Sequence, residues 1–273
     1  MKILSTIYGS LTTDERGDSK MIDAVERGGY PAQDEIIDVL ELVTNQSVVA
    51  DVGANIGTFT LPLARVAKEV HAFEPMERNV ELLRKNIELN ALHNVVVHPV
   101  AVGQEEGRTS FVMENPDNAG TYRAEKGEAV KIISLDSTNI PFDIIKMDIQ
   151  GMEGRALMGA AQLVQKHHPL FFFEVSGRIF DYGPSLSILH TLLRDYRYYL
   201  KYKPGSNRYG AVLSLRVAIA LMLPKVYFFS REGFHFDILA APKERRIEAD
   251  GYLQTFFALF LQLFVKAFRA IKR

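Results

Sequence analysis

The sequence predicts an α/β fold, a doubly wound, Rossmann-like and mostly parallel sheet of seven strands. An apolar run at 48–52 enters a loop with two glycines, a helical pattern follows, and a second apolar run at 70–74 ends in Glu74. Two later apolar runs, at 144–148 and 170–174, also end in an acid. Short apolar runs that alternate with helical patterns are typical of a parallel sheet built from βαβ units.

The other elements complete this sheet in chain order. We expect helices at about 34–43, 58–67, 77–90 and 184–195, and further strands at 95–98, 198–203 and 236–240. The third of these helices is the clearest, because Val80, Leu83 and Ile87 recur on one side at helical spacing. The polar stretch at about 103–128 holds several glycines around one short β-like run. It predicts a hairpin and a flexible loop that lies over a ligand.

Composition excludes several classes of function. The formal net charge of −1 argues against a general nucleic-acid binder, which is usually strongly basic. The absence of cysteine excludes disulfides and thiolate chemistry, and no His, Asp or Glu residues are paired at metal-ligand spacing. The N-terminus reaches Asp14 too soon for the apolar core of a signal peptide. We therefore expect a cytoplasmic protein with no bound metal.

The loop from Asp51 to Gly57 predicts a nucleoside ligand. Gly53 and Gly57 let the backbone turn sharply and approach a ligand closely, since neither has a Cβ. The helix expected after this loop directs its first amide donors toward the same crevice. Glu74, at the end of the second strand, stands where an acid can accept both hydroxyls of a ribose.

The spacing of the glycines indicates which nucleoside. The loop is G-x-x-x-G, neither the dinucleotide pattern G-x-G-x-x-G nor a triphosphate-binding P-loop. Asp51 in front of it would repel pyrophosphate but suits an α-ammonium group, which favours S-adenosylmethionine (SAM). A dinucleotide and a purely structural turn stay open as alternatives. We assign to the cofactor site Asp51, Gly53, Ala54, Asn55, Gly57, Glu74, Ala101 and Asp148.

Three motifs resemble the FkbM family of SAM-dependent methyltransferases. They are the Asp51–Gly57 loop, Phe73-Glu74-Pro75, and the segment from Ile145 to Glu153, with weaker matches that extend the resemblance over about 28–243. The third motif is the most diagnostic, although this chain has Gln150 where the family commonly has Glu. The resemblance implies a class I methyltransferase fold and methylation of a hydroxyl, often on a sugar, glycolipid or polyketide.

Methyl transfer to an alcohol needs a group that removes the proton from the acceptor oxygen. Asp148, at the end of the fourth strand, is our first candidate for this base, although it could instead hold the SAM amino group. Glu174 is the second candidate. Methylation of nitrogen or of a protein side chain is the alternative within the same fold. A membrane-surface protein that keeps the fold without catalysis is the alternative from another class.

Two apolar segments lie outside these motifs. Residues 1–245 are expected to form the methyltransferase domain and 246–273 an amphipathic helix, because 251–265 carries no charge and four basic residues follow it. A second apolar segment, Ala211 to Leu223, precedes the last strand. Both favour a lipid-linked or membrane-proximal acceptor. For the C-terminal segment, binding to the inner face of the membrane and packing on the protein or in a homodimer stay open.

Overall fold

The structure is a computed structural model that describes residues 2–13, 19–113, 122–176, 191–201, 209–212, 235–245, 247 and 249–250. Its strands are β1 (Lys2–Thr6), β2 (Gly9–Thr13), β3 (Val48–Val52), β4 (Glu69–Phe73), β5 (Val95–His98), β6 (Ala101–Val102), β7 (Gly107–Met113), β8 (Tyr122–Ile133), β9 (Ile144–Met147), β10 (Leu170–Ser176), β11 (Tyr196–Lys201), β12 (Tyr209–Val212), β13 (His235–Pro242) and β14 (Ala249–Asp250). Its helices are α1 (Ser19–Glu26), α2 (Gln33–Leu40), α3 (Thr60–Ala64), α4 (Glu77–Leu89), α5 (Glu153–Met158) and α6 (Ala161–His167).

The predicted doubly wound, mostly parallel sheet is confirmed. The main sheet has the order β14-β12-β11-β13-β10-β9-β3-β4-β5. Strands β5, β4, β3, β9 and β10 pair in parallel, whereas β13 runs antiparallel to both of its neighbours, β10 and β11. All seven predicted strands are present. The sequence analysis missed β12 and β14, which extend the sheet beyond β11.

The central strands are buried on both faces, which explains their nearly continuous apolar sequence. In β9, Ile144 packs on one side of the sheet and Ile145 on the other, as expected from the two-residue period of a strand. The same alternation places Phe172 of β10 with Ile144, and Phe171 with Ile145. Strands covered on both faces are typical of parallel α/β sheets, so pattern and architecture agree.

Several predicted boundaries were wrong. The helix expected at 58–67 is confined to α3, and the fifth strand does not end at Glu174. It continues to Ser176 because β13 pairs with it over its full length, up to Ser176 opposite His235. Ala211 and Val212 belong to β12 rather than to an apolar insertion. Most of the helix expected at 184–195, the rest of the 211–223 segment and the C-terminal segment 251–273 lie outside the described residues.

The hairpin predicted at 103–128 is part of a small second sheet. Strand β8 lies at its centre, antiparallel to β7 and parallel to β6. The hairpin tip, residues 114–121, lies outside the described residues. Phe111 of β7 lines the cavity beside the main sheet, so the hairpin covers the predicted ligand position from one side.

An N-terminal hairpin, β1–β2, which the sequence analysis missed, is attached to helix α4 through amide side chains. The fully buried Asn86 accepts a hydrogen bond from the Thr12 backbone N at 2.6 Å and donates to the Thr12 carbonyl at 3.1 Å. Its Nδ2 also donates to the carbonyl of Ile56 at 2.8 Å. Asn86 therefore connects the hairpin to the glycine loop that follows β3.

Candidate cofactor and active site

A cavity of about 270 Å³ lies at the carboxyl ends of β3, β4 and β9. Of the residues assigned to the site from the sequence, it is lined by Gly53, Asn55, Glu74, Ala101 and Asp148. Lining residues that the sequence analysis did not assign include Ala32, Phe73, Asn79, Phe111, Lys146 and Gln150. Ligands of open α/β sheets bind at this edge, so the cavity has the position expected of the cofactor site.

Gly53 is required by the protein's own packing, and both glycines of the loop have a backbone conformation that favours glycine. Gly53 has φ +81°, and a Cβ there would lie 2.0 Å from the backbone oxygen of Asp148. Gly57 has φ +101°, and its Cβ would lie 2.9 Å from the Leu83 Cδ1 atom. Close approach of a ligand is therefore not the only reason for a glycine at position 53. Gly53 also lets the loop after β3 lie against the segment after β9.

Ala54 and Gly57 shape this loop without lining the cavity. Ala54 is buried, and its backbone N donates to the carbonyl of Phe73 at 3.0 Å, as does that of Gly53. The Gly57 backbone N donates to the Ala54 carbonyl at 2.9 Å. Among the described residues, the cavity lining includes neither Ala54 nor Gly57, and their assignment to the cofactor site stays a prediction.

Glu74 is a buried carboxylate at the cavity wall, held by three hydrogen bonds. Its Oε2 accepts from the Asn55 backbone N at 2.9 Å, and its Oε1 accepts from the Met76 backbone N and the Asn79 side chain at 3.0 and 3.2 Å. Burial raises the pKa of Glu74, and these donors together with the charge of Lys146 oppose that rise. The carboxylate is thus fixed beside the cavity with acceptor capacity left over, because each oxygen carries two lone pairs.

Asp51 is not among the residues that line the cavity, and its assignment to the SAM ammonium group stays a prediction. It is fully buried inside β3, directly opposite Lys146 of β9 in the strand register. Its Oδ1 lies 3.1 Å from the Lys146 Nζ, and its Oδ2 accepts a hydrogen bond from the Thr60 hydroxyl at 2.7 Å. Asp51 therefore neutralises the charge of Lys146 inside the sheet.

Lys146 forms the ion pair with Asp51 and also lines the cavity. Its Nζ also donates to the carbonyl of Gly53 at 3.2 Å and lies 4.6 Å from the centre of the Phe59 ring. The lysine belongs to the third family-like motif, so the sequence contained its signal, although that analysis gave it no role. Phe111 had a weaker signal, its place in the β-like run, and nothing in the sequence indicated Ala32.

Asp148 lies at the cavity, immediately after β9. Its backbone N donates to the Val52 carbonyl at 3.0 Å, and its Oδ1 accepts a hydrogen bond from the Gln150 Nε2 at 3.2 Å. Gln150 and Gly151 both have left-handed backbone conformations, with φ +57° and +98°. They turn the chain sharply, so that Asp148 and Gln150 line the same cavity.

Glu174, the second predicted base, can be placed only by its backbone. It follows the Phe173–Met147 pair of β10 and β9, which puts it level with Asp148 on the neighbouring strand. Its side chain lies outside the described part of the structure. Its catalytic assignment stays a prediction.

Glu153 stabilises the turn from within the protein. Its Oε1 accepts from the backbone N of Ile149 at 3.0 Å and of Gly151 at 3.3 Å, whereas Oε2 has no hydrogen-bond partner among the described residues. Burial raises the pKa of this carboxyl to about 7, and the negative charge of Asp148 adds to the effect. Glu153 is 2% exposed and holds the loop that carries Asp148 and Gln150.

His98 contacts the cavity wall through an aromatic stack. Its ring lies parallel to that of Phe73 at 4.4 Å, and Phe73 lines the cavity. On its other side, His98 Nε2 lies 3.0 Å from His71 Nδ1. Burial lowers the pKa of both imidazoles, which favours a neutral pair behind the cofactor cavity.

Comparison with known proteins identifies the family. The methyltransferase FkbM domain matches residues 51–200, more than half of the chain and the region that contains every cavity-lining residue except Ala32. The chain belongs to the FkbM methyltransferase family. Residues 51–200 are accordingly a SAM-dependent methyltransferase domain, as the resemblance of the motifs implied, and SAM is its cofactor.

Two curated proteins are similar over shorter stretches. Methyltransferase 1 of Beauveria bassiana is 29% identical over 93 residues, which cover 33% of this chain and 37% of that protein. The ribosomal protein L11 methyltransferase of a Thermoanaerobacter species is 35% identical over 77 residues, which cover 28% of this chain and 25% of that protein. The matched stretches thus cover 37% of the length of the first relative and 25% of the second.

Solved structures with similar folds are more distant in sequence. The FkbM methyltransferase from Methylobacillus flagellatus is 18% identical with a TM-score of 0.45, over 72% of this chain and 44% of that one. An rRNA methylase from Streptococcus thermophilus is 12% identical with a TM-score of 0.47, over 78% of this chain and 96% of that one. In the described part of the present protein, none of the helices combines the length and apolar composition of a transmembrane span.

Glu153 predicts a specific pH dependence of stability. Its pKa is raised in the folded state, so the folded protein keeps a proton that the unfolded chain releases as pH rises from about 4.5 to about 7. The free energy of unfolding therefore contains a contribution that falls over this interval. In Glu153→Gln that contribution is absent, and the unfolding free energy of the variant relative to wild type should rise by about 2 kcal/mol between pH 5 and pH 8. Urea unfolding at both pH values measures this change.

The matched control is Glu106→Gln, which removes an exposed carboxylate from the turn before β7. Its unfolding free energy should stay parallel to that of wild type across the same pH interval. If the unfolding free energy of Glu153→Gln also stays parallel to that of wild type across this interval, the buried environment assigned to Glu153 is wrong.

Proposed function

We propose that this protein transfers the methyl group of SAM to a hydroxyl of a sugar, glycolipid or polyketide-like acceptor. The observation that carries the proposal is the carboxylate of Asp148, which lines the cofactor cavity of an FkbM domain and is oriented by Gln150. The segment Asp148-Ile149-Gln150-Gly151 lacks the Asn-Pro-Pro-aromatic motif that would favour nitrogen as the acceptor. Oxygen is therefore the preferred acceptor atom.

The residues at the cavity fit SAM. Glu74 supplies a buried carboxylate whose Oε2 has one acceptor site left for a ribose hydroxyl. Ala101 and Phe73 supply apolar walls for the adenine ring of SAM, and Phe111 adds an aromatic side chain from the hairpin. The backbone of Gly53 and Asn55 lines the part of the cavity between these walls and Asp148. No phosphate-binding pattern competes with this assignment.

Bound SAM supplies a methyl group that its sulfonium already activates. The protein then has to align the acceptor oxygen with the methyl carbon, exclude water and remove one proton. Alignment is worth on the order of 7–11 kcal/mol in such displacements, and a general base adds roughly 10²–10⁴-fold. Asp148 Oδ1 accepts from Gln150, so Oδ2 is our candidate acceptor for the hydroxyl proton. Glu174 is the alternative base, level with Asp148 on the next strand.

Substitution of Asp148 tests the role of this carboxylate. Asp148→Asn should lower kcat at least about 100-fold while SAM binds with nearly unchanged affinity, because the amide keeps the shape but is not a base. The assay supplies deuterated-methyl SAM with methyl glycosides, polyols and lipid-linked sugars, and mass spectrometry detects the labelled product. Calorimetry measures SAM affinity separately. An Asp148→Asn protein with wild-type turnover would remove Asp148 as the base and leave Glu174 to be tested.

The matched variant is Glu74→Gln, which changes the other carboxylate of the cavity. It should weaken SAM binding by about 1.5–3 kcal/mol, because it loses charge-assisted hydrogen bonds to the ribose. Unchanged SAM affinity in Glu74→Gln would remove Glu74 from the cofactor site. The two variants thus separate an effect on chemistry from an effect on cofactor binding.

We further propose that residues 251–273 bind the surface of an anionic membrane, where a lipid-linked acceptor would be found. The sequence supports this with an uncharged stretch rich in Leu and Phe that is followed by Lys266, Arg269, Lys272 and Arg273. A narrow polar stripe and a basic end are typical of helices that lie in the plane of a membrane surface. Such a location would bring the cavity close to acceptors anchored in the bilayer.

Deletion of residues 251–273 tests this proposal. The full chain should sediment with anionic liposomes at low salt and be released as salt increases, whereas the truncated chain should stay in the supernatant with unchanged SAM affinity. Replacing the four basic residues by Gln is the control for charge, at about 1 kcal/mol for each residue near the surface. If truncation instead lowers thermal stability or produces monomers regardless of lipid, the segment packs on protein and the membrane proposal is wrong.

A further inference from the structure

The turn between β9 and α5 places an amide where a second carboxylate would be expected. FkbM-like sequences commonly have Glu at position 150, and this chain has Gln150, whose Nε2 lies 3.2 Å from Asp148 Oδ1. A glutamate at that distance would repel Asp148, whereas the amide donates a hydrogen bond to it. The substitution therefore changes the electrostatics of the proposed base.

The backbone of this turn is constrained on both sides, so the contact between Gln150 and Asp148 has little freedom. The Asp148 backbone N is bound to the Val52 carbonyl, and its own carbonyl lies against Gly53, where a Cβ would be only 2.0 Å away. Buried Glu153 accepts from the backbone N of Ile149 and Gly151. Gln150 is thus held in a left-handed conformation, with φ +57°, that side chains rarely adopt.

We infer that Gln150 is a positioning residue, whose side-chain amide holds Asp148 Oδ1 and presents Oδ2 to the acceptor hydroxyl. The inference rests on the proposed function, because it takes Asp148 as the base. Gln150 donates to one oxygen only, so the other oxygen remains to accept the proton of the acceptor hydroxyl. The methyl group would come from SAM, whose S–CH₃ bond would break to leave S-adenosylhomocysteine (SAH). The amide also adds no charge of its own beside Asp148.

Other charged groups surround Asp148 and must be considered with it. Glu153 faces it from α5, Lys146 lines the same cavity from β9, and Glu74 lines it from β4. Asp51 of β3 is paired with Lys146, and Glu174 is level with Asp148 on β10. A glutamate at 150 would add a negative charge to a region where several carboxylates already meet.

The experiment follows the titration of Asp148 directly and needs no acceptor. Protein labelled with ¹³C at the aspartate carboxyl groups is titrated with SAH present, and the signal missing from Asp148→Asn identifies residue 148. In Gln150→Glu, the midpoint of this titration should move up by at least about one pH unit, because two carboxylates then share one site. In Gln150→Met, which keeps the length but loses the donor, it should move up by a smaller amount.

The control is Gln46→Glu, which adds the same charge in the exposed turn at the opposite end of β3. It should leave the Asp148 titration where it is in wild type. The positioning role is overturned if the midpoint in both Gln150 variants equals that in wild type while both proteins remain folded and bind SAH. A failure of Asp148→Asn to lower turnover would instead refute the proposed base and leave the titration result intact.

Discussion

The buried ion pair between Asp51 and Lys146 joins the two strands from which the active site is built. Both side chains are almost inaccessible, at 0% and 4%, and their residues lie directly opposite each other in β3 and β9. Removing two charges from water is costly, and the pair is stable only because each group has further partners. Thr60 donates to Asp51, and Lys146 binds the Gly53 carbonyl and lies against Phe59. Each of these partners belongs to the loop or helix that follows β3.

The geometry of the cavity depends on this attachment. Lys146 fixes the Gly53 carbonyl, and the missing Cβ of Gly53 lets the backbone of Asp148 approach. The glycine loop and the Asp148 turn are therefore held against each other before any ligand binds. Such preorganisation matters for methyl transfer, because alignment of the reacting atoms supplies most of what the protein can add to an already activated methyl group.

Four carboxylates meet near this edge, and their environments give them different roles. Asp51 is paired with a lysine, Glu74 is held by three donors at the cavity wall, Glu153 is buried beneath the turn, and Asp148 lies at the cavity with the Gln150 amide beside it. Their positions in the sequence do not distinguish them. Asp51, Glu74 and Asp148 each stand at or near the end of an apolar run, and Glu153 belongs to the same motif as Asp148. The differences arise from which groups the fold brings within hydrogen-bonding distance.

The sequence predicted the sheet, its seven main strands and the family, because these depend on local periodicity and on short motifs. It predicted the positions of Glu74 and Asp148 at strand ends for the same reason. It did not reveal the pairing of Asp51 with Lys146, since Lys146 is 95 residues away and pairs with Asp51 only through the strand register. The N-terminal hairpin was missed because its attachment depends on Asn86, a polar residue that the apolar pattern of α4 does not reveal.

The most direct test of this account is a double-mutant cycle on the buried pair. Lys146→Met should lower the free energy of unfolding by about 3–5 kcal/mol, since it leaves the Asp51 charge without its partner, and it should weaken SAM binding. Asp51→Asn/Lys146→Met should recover much of that loss, with a coupling free energy of about 2–3 kcal/mol. If the two single substitutions each cost little and their effects simply add, the pair does not organise the site.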